Sequence, residues 1–325
     1  MINKTQNEIM KNWQLEQGTV VSIHCLAFNH EKFIAHALDS FLQQETNFPF
    51  EVIVHDDAST DKTAEIIREY EICYPKIIKP IYETENQYSK GGGYLITDII
   101  AKYISGKYVA FCDGDDFWIS EKKIQKQVDW LEKFKAYSGC VGACLVLEEK
   151  TGVYHPREKK YPSLDLEIED FIGPTIGHTS TIMMRREIYL KRLNSTTPKV
   201  FSGDKLLLLL MRLNGKVAFL PEIFSVYRKN DDGVSRNVKL KRIQLDLQIP
   251  KWASQLYSKA NGKYPYFRHL SFIYQTIFLY TTDLNAIQKF KYVLLFFFTS
   301  FSYFPKNIYR IIQIIKARIS DKKYT

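Results

Sequence analysis

The segment KYVAFCDGDDFW, Lys107 to Trp118, joins an apolar run directly to a cluster of acids. Lys107 to Cys112 reads as a buried strand, and Asp113, Asp115 and Asp116 follow within four residues. Carboxylates at the carboxyl end of a central strand stand where open α/β sheets place their ligand sites. Three such groups repel one another unless a cation or hydrogen-bond donors satisfy them, and hard divalent ions such as Mg²⁺ or Mn²⁺ take oxygen ligands of this kind. A calcium loop is excluded, because the D-x-[DN]-x-[DN]-G spacing and the closing Glu are missing.

On the N-terminal side, VVSIHCLAF (Val20 to Phe28) reads as a second buried strand. After the Asn29-His30 turn, Phe33, Ile34, Ala37, Leu38, Phe41 and Leu42 fall on one helical face. EVIVHDD (Glu51 to Asp57) is another strand and ends in DDASTD, where Ser59, Thr60 or Asp61 can cap a helix that runs through Tyr70 and stops before Pro75. If these strands lie close in one sheet, Asp56 and Asp57 join the three later acids at one edge; the alternative for Asp57 to Asp61 is a turn with a helix cap. Lys76 to Tyr82 is a strand, and ENQYSKGGG reads as a flexible loop because its glycines lack the P-loop and Rossmann spacings. A helix with Leu95, Ile96, Ile99, Ile100 and Tyr103 on one side follows, with Gly106 as its cap.

Beyond Trp118 the pattern gives a helix from Glu121 to Phe134 and a strand from Cys140 to Leu147. The alternation from Gly18 to Lys150 predicts an α/β domain with a largely parallel sheet. Residues 151–176 are irregular; then come a strand at Ser180 to Arg185, the helix DKLLLLLMRL (Asp204 to Leu213) and a strand at Lys216 to Leu220. Past Arg236 the chain reads as helices, Lys239 to Ala260 with an interruption at Pro250, then Tyr264 to Thr281. The expected organisation is a polar segment (1–17), an α/β domain (18–235, with a regular half 18–150 and a less regular half 151–235), and a helical extension (236–325).

Composition narrows the class. Of the 325 residues, 45% are hydrophobic and 25% charged, which fits a globular chain and not a fibrous or disordered one. Five cysteines, without a C-x-x-C pair, suggest neither a disulfide framework nor a zinc finger, and a reducing compartment fits best. The polar N-terminus lacks the basic start and apolar stretch of a secretory signal. Net charge is +9, yet Gln288 to Thr325 alone holds eight Lys/Arg against one Asp. A basic, aromatic end of this sort points to an anionic membrane surface or a nucleic-acid arm. Its run YVLLFFFTSFSYF has 13 residues before Pro305, short of the ~20 that span a bilayer. After Pro305, Ile308, Ile311, Ile312, Ile315 and Ile319 share one face, as in a helix lying in an interface or packing on a protein surface.

Three segments in fixed order, VSIHCLAFNHEKFIAHALDSFLQQ, FEVIVHDDASTDKTAEII and GKYVAFCDGDDFW with KKIQKQVDWLE, closely resemble the family-2 glycosyltransferases of GT-A fold over about residues 18 to 135. GHTSTIMMRRE, FSGDKLLLL and VYRKNDDGVS resemble that family's acceptor-side segments. The resemblance implies a Rossmann-like mixed sheet flanked by helices, and an inverting transfer of a sugar from a nucleotide diphosphate, UDP by family habit, to a saccharide or lipid-linked saccharide hydroxyl in surface-polysaccharide synthesis. It implies donor contacts from Ala27, Asn29, Asp57, Asp113 and Asp115, with Asp57 toward the base and Asp113 or Asp115 toward the ribose. It further implies Mn²⁺ or Mg²⁺ on Asp115 or Asp116, a sugar-side position for His178, and Asp204 as the base that an alcohol nucleophile needs. Read without the family, Asp204 is an N-cap aspartate and His178 a structural histidine; the family motif reverses the reading of Asp204.

One departure stands out. Metal-dependent members carry a histidine after the Tyr-Arg pair, whereas Tyr227-Arg228-Lys229 is followed here by Asn230, with Asp231 and Asp232 next. Asn230 or Asp231 substitutes as a ligand, or the metal site is weaker, or activity is lost. Two rival readings are therefore an inactive, membrane-docked relative and a sugar nucleotidyltransferase, although the glycine-rich phosphate motif of the latter is absent after Val20 to Phe28. The expected partners are a nucleotide sugar, an acceptor and an anionic membrane surface, not nucleic acid, with the protein cytoplasmic and peripheral at the inner face of the cell membrane.

Overall fold

A computed structural model describes residues 2–157, 164–173, 176–230, 239–257 and 263–300. The chain divides into two compact units, residues 1–233 and 234–325.

In the first unit, α1 (Gln6–Met10) precedes β1 (Val21–Ala27), α2 (Ile34–Leu42), β2 (Phe50–Asp56), α3 (Thr63–Cys73), β3 (Ile78–Tyr82), α4 (Gln87–Ala101) and β4 (Tyr108–Phe111). There follow β5 (Phe117–Trp118), α5 (Lys123–Lys133), β6 (Tyr137–Glu148), β7 (Val153–Pro156), β8 (Met183–Arg185), α6 (Arg186–Leu190), α7 (Gly203–Asn214) and β9 (Lys216–Lys229). One nine-stranded sheet runs in the order β3-β2-β1-β4-β8-β6-β9-β5, with β7 on the edge of β6. β1 is wholly buried but for one half-buried position, which is why apolar residues occupy both of its faces, with Ser22 and His24 the polar exceptions. Burial of Val21 or Ile23 contributes ~1.5–3 kcal/mol each on leaving water.

The parallel part ends at β4. β8 enters antiparallel between β4 and β6, while β6 and β9 pair in parallel along most of their length. The strands β1 to β4 are parallel, as the pattern of the first half predicted, and the sheet as a whole is mixed, as the family resemblance implied. Two local expectations change. ENQYSKGGG is not a loop: the Asn86 side chain accepts from Ser89 N, and the Asp57 carboxylate accepts from Gln87 N and Tyr88 N, so α4 starts there and breaks only at Gly92, whose φ is 68°. The strand at Ser180 to Arg185 shortens to three residues because Thr179–Thr181 forms a 3-10 turn.

The second unit contains α8 (Leu240–Ile243), α9 (Ile249–Tyr257), α10 (Tyr266–Tyr280) and α11 (Ala286–Ser300). Pro250 interrupts nothing, since it occupies the first turn of α9, where its missing N–H costs no bond; the break lies upstream in the 3-10 stretch Gln244–Gln248. The Tyr274 and Tyr292 rings meet at 6.1 Å, and Gln244 Nε2 donates to the Tyr292 hydroxyl, tying α10, α11 and that stretch together.

The two halves of the first unit meet over a buried cation. Lys123 is fully buried, its Nζ 4.0 Å from the centroid of the Trp118 ring and donating to Gln127 Oε1 at 2.9 Å. Trp118 Nε1 and Gln127 Nε2 in turn donate to the carbonyls of Ser180 and Thr181, so β5 and α5 set the 3-10 turn beside His178. Burial pushes the Lys123 ammonium down to about 7. The unfolded chain then holds this proton more tightly than the folded one, so the cost of burying the charge is complete below pH 7 and fades as pH rises toward the ordinary lysine value. Lys123→Met should therefore be more stable than the native protein at about pH 6, with the gap closing above neutrality by up to ~1.4 kcal/mol per pH unit. Urea denaturation of both proteins across this range checks it; a gap that does not change with pH would show that no buried ammonium titrates here.

Candidate active site

β1, β2 and β4 end side by side with β1 in the middle. Strand spacing puts the loops after β2 and β4 roughly 10 Å apart across β1. The loops after β1 and β2 are stitched together by reciprocal bonds. Asn29 N donates to Ser59 Oγ and Asn29 Oδ1 accepts from Thr60 N, while His30 N donates to Thr63 Oγ1. Glu31 N donates to Asp61 Oδ2, and Thr63 N to Asp61 Oδ1. Both loops use left-handed residues to turn, Asn29 at φ 55° and Ala58 at φ 59°. Among the residues expected at the donor site, Asn29 thus has its side-chain oxygen engaged in holding the loop. The Ala27 carbonyl accepts from Asp57 N, and Asp57 itself accepts the first two N–H groups of α4. Asp57 therefore links the end of β2 to the start of α4.

The acidic turn after β4 lies against the end of β1 through Gly114, whose N–H donates to Leu26 O at 2.7 Å. A Cβ on Gly114 would stand 2.9 Å from Ile34 Cδ1 and 3.1 Å from that carbonyl, so a side chain there would crowd the approach. The three acids have different surroundings. Asp116 is only 3% exposed; its Oδ1 accepts from Arg228 N at 2.8 Å and its Oδ2 lies 3.4 Å from His178 Nδ1. Asp115 is 22% exposed, and its Oδ2 accepts from Asn230 Nδ2 at 3.2 Å and stands 4.0 Å from His30 Nε2. Asp113 senses Asp204: burial first, then the charges of Asp115 and Asp204, push its carboxyl up to about 7. Burial and the neighbouring Asp115 raise Asp116 as well, against the Arg228 N–H that favours its charge.

Arg228 near the end of β9 clamps this turn. Its guanidinium lies 4.8 Å from the Phe33 ring and 5.1 Å from the Phe117 ring, donates from Nε to the Asp115 carbonyl, and pairs through Nη1 with Glu149 at 2.7 Å. His36, stacked on Phe117 at 3.9 Å, faces Nη2. His178 sits over Tyr227, ring centroids 4.4 Å apart, with Nδ1 2.9 Å from Ser180 Oγ. Burial, aided by Arg157, pushes its imidazole down to about 3, so at neutral pH it is an uncharged ring.

Asp204 is the second residue of α7. It is not a cap: Ser202 holds the N-cap position, and no hydrogen bond to the Asp204 carboxylate is found among the described residues. Arg192 donates to the Gly203 carbonyl beside it. Asp231 and Asp232 lie outside the described residues, as does the isoleucine-rich stretch after Pro305. Sequence reasoning missed His30, Arg228 and Glu149; the histidine directly after Asn29 and the arginine of the Tyr-Arg pair were the available signals.

A divalent cation suits this donor set in a limited way. Among the described residues no three His, Cys, Asp or Glu side chains converge on one cation-sized point. Mg²⁺-type ions commonly take one or two carboxylates and complete their shell with substrate phosphates, so a preformed cage is not required. The crowded acids, raised in pKa by burial and by one another, and the buried Asn230 Oδ1, which has no hydrogen-bond partner among the described residues, both fit such an ion.

Comparison with known proteins places this geometry. The model of glycosyl transferase family 2 matches residues 22–193. An uncharacterized protein of Mycobacterium tuberculosis is 32% identical over 218 residues, 66% of this chain and 60% of that protein, so the match spans about 60% of the relative's length. The putative teichuronic acid biosynthesis glycosyltransferase TuaG of Bacillus subtilis is 28% identical over 55% of this chain and 65% of its own. The Escherichia coli UDP-Glc:alpha-D-GlcNAc-diphosphoundecaprenol beta-1,3-glucosyltransferase WfaP is 34% identical over 36% of this chain and 43% of its own. Among solved structures, S. aureus TarS 1–349 in complex with UDP-GlcNAc aligns over 86% of this chain and 81% of its own, with TM-score 0.63 and 19% identity, a likeness of fold.

The unequal surroundings of Asp115 and Asp116 give a test that needs no ligand. Asp116→Asn should keep its bond to Arg228 N and unfold close to the native protein, whereas Asp116→Ala should lose ~1–3 kcal/mol by leaving that buried donor unsatisfied. Asp115→Ala should cost little. Denaturant titration of the three variants reads this directly; an Asp115→Ala protein less stable than Asp116→Ala would reverse the assignment.

Proposed function

The chain belongs to glycosyl transferase family 2, and from that premise we propose that it moves a sugar from a nucleotide diphosphate, UDP foremost, to a hydroxyl of a saccharide on a lipid carrier, with inversion at the anomeric carbon. The observation that carries this reading is the buried acidic turn after β4, where Asp116 meets Arg228 and Asp115 meets Asn230. Burial and the charges of Asp115 and Asp204 raise the Asp113 carboxyl there, so the charge of Asp204 at the head of α7 is felt at the turn that would hold the donor.

In this reading Asp57, with Asn86 and the first turn of α4, borders the nucleobase, and Asp113 addresses the ribose. Asp115 and the unpartnered Asn230 Oδ1 would hold Mn²⁺ or Mg²⁺, with Asp231 a further candidate; Asp116, turned inward to Arg228 and His178, holds the turn in shape. Such a cation supplies compensation for the negative charge that grows on the departing diphosphate. Asp204 accepts the proton of the acceptor hydroxyl as its oxygen attacks, and the neutral His178 borders the transferred sugar. The Asn230 amide lies within bonding distance of Asp115, which favours a ligand that replaces the family's histidine over a lost site. WfaP, a glucosyltransferase with a UDP-Glc donor and a diphosphoundecaprenol-linked acceptor, supports the donor and acceptor classes, and TuaG supports a place in surface-polysaccharide synthesis. A lipid-linked acceptor would require the enzyme to work at the inner membrane surface.

Asp204→Asn is the decisive variant. Its affinity for UDP in the presence of Mn²⁺, read by calorimetry, should match the native protein, while turnover in a screen of nucleotide sugars falls by ~10²–10⁴-fold, the usual contribution of a positioned base. Turnover within about threefold of native would place the base elsewhere, and an absence of any UDP binding by the native protein would remove the transferase reading.

A further inference from the structure

Helix α11 is apolar on both sides. Tyr292, Phe296 and Ser300 are buried and form its inner edge. On the opposite side Ile287 is 81% exposed, Phe290 65%, Leu294 38% and Phe298 70%. Their spacing of three, four and four residues makes one continuous stripe down the helix. Single exposed apolar residues are ordinary on soluble proteins, but an aligned row of four large ones on the face where a helix normally turns polar groups to water marks a surface that something covers.

Charge and length indicate what that is. Lys289 and Lys291 lie on α11 itself, Lys306, Arg310, Lys316 and Arg318 follow in the sequence, and no acid occurs between Asp283 and Asp321. Two identical copies meeting through this face would bring like charges together, whereas anionic headgroups complement them. The described helix has 15 residues, about 22 Å at 1.5 Å per residue, against ~30 Å for the hydrocarbon layer. Among the described residues no helix is long and apolar enough to cross a membrane. A helix with these properties lies along an interface with its apolar side immersed among the acyl chains.

We infer that the Ile287–Phe290–Leu294–Phe298 face of α11 is the membrane-docking surface of this protein and that its occupant is an anionic lipid bilayer. The inference rests on the membrane placement proposed above and names the residues that carry it. Flotation of the full chain with phosphatidylglycerol-containing vesicles, compared with pure phosphatidylcholine vesicles, tests it. The native chain should float with the anionic vesicles and less so as salt rises. Phe290→Ser combined with Phe298→Ser should lower vesicle affinity at least about tenfold, because most of each ring's transfer energy is lost, while the melting temperature and the affinity for UDP with Mn²⁺ stay unchanged. Lys289→Gln with Lys291→Gln should reduce the salt-dependent part alone. Unaltered flotation of the double serine variant would overturn the inference, and so would a native dimer in sedimentation that this variant converts to monomer. Vesicle binding lost by these substitutions in a protein that never binds UDP would leave the docking surface standing and remove the transferase reading instead.

Discussion

Carboxylates packed into a turn that water barely reaches cannot all remain charged without compensation, and much of the first unit is arranged around that fact. Arg228 supplies the compensation from within. Its backbone N–H meets Asp116, its guanidinium meets the Asp115 carbonyl, and Phe33 and Phe117 hold the guanidinium plane in place. The clamp is possible only because β9 pairs in parallel with β6 along a register that reaches Lys229 opposite Glu148. A strand begun at Lys216, on the far side of the sheet, thereby delivers its last residues to the acids that follow β4.

The clamp also assigns unequal work to neighbouring acids. Asp116 faces inward and has its oxygens directed at protein groups, so it keeps the turn in shape. Asp115 retains an edge toward solvent, with an asparagine and a histidine nearby. The pair is chemically identical and adjacent, and only the strand that passes beneath one of them distinguishes the two.

This explains which parts of the molecule were legible in the sequence. Strands β1, β2 and β4 are buried on both faces, so apolar residues dominate each of them, and the turn chemistry after each marks the sheet edge. The acids at those edges stand out for the same reason. Harder to read was anything fixed by contacts between distant segments. ENQYSKGGG looks like a loop until Asp57, about thirty residues earlier, supplies the carboxylate that starts a helix there. The Tyr227-Arg228 pair marks a motif, but its partner Asp116 lies more than a hundred residues back and is met only through β9. Lys123 reads as the polar start of an amphipathic helix, yet the Trp118 face and the Gln127 amide make it a core residue. No local periodicity reports these pairings, since each partner is ordinary in its own neighbourhood.

The long reach of β9 also has a consequence for the order in which the protein is made. Synthesis from the N-terminus delivers β1, β2, β4 and the acidic turn well before residue 228, so the nascent chain carries Asp113, Asp115 and Asp116 through more than a hundred further residues with their internal counter-charge still unborn. During that interval the turn can be quieted only by protons, ions or solvent. The clamp can therefore close only after the end of β9 has left the ribosome, and a chain that stops short of residue 228 carries the acidic turn without the arginine that grips it.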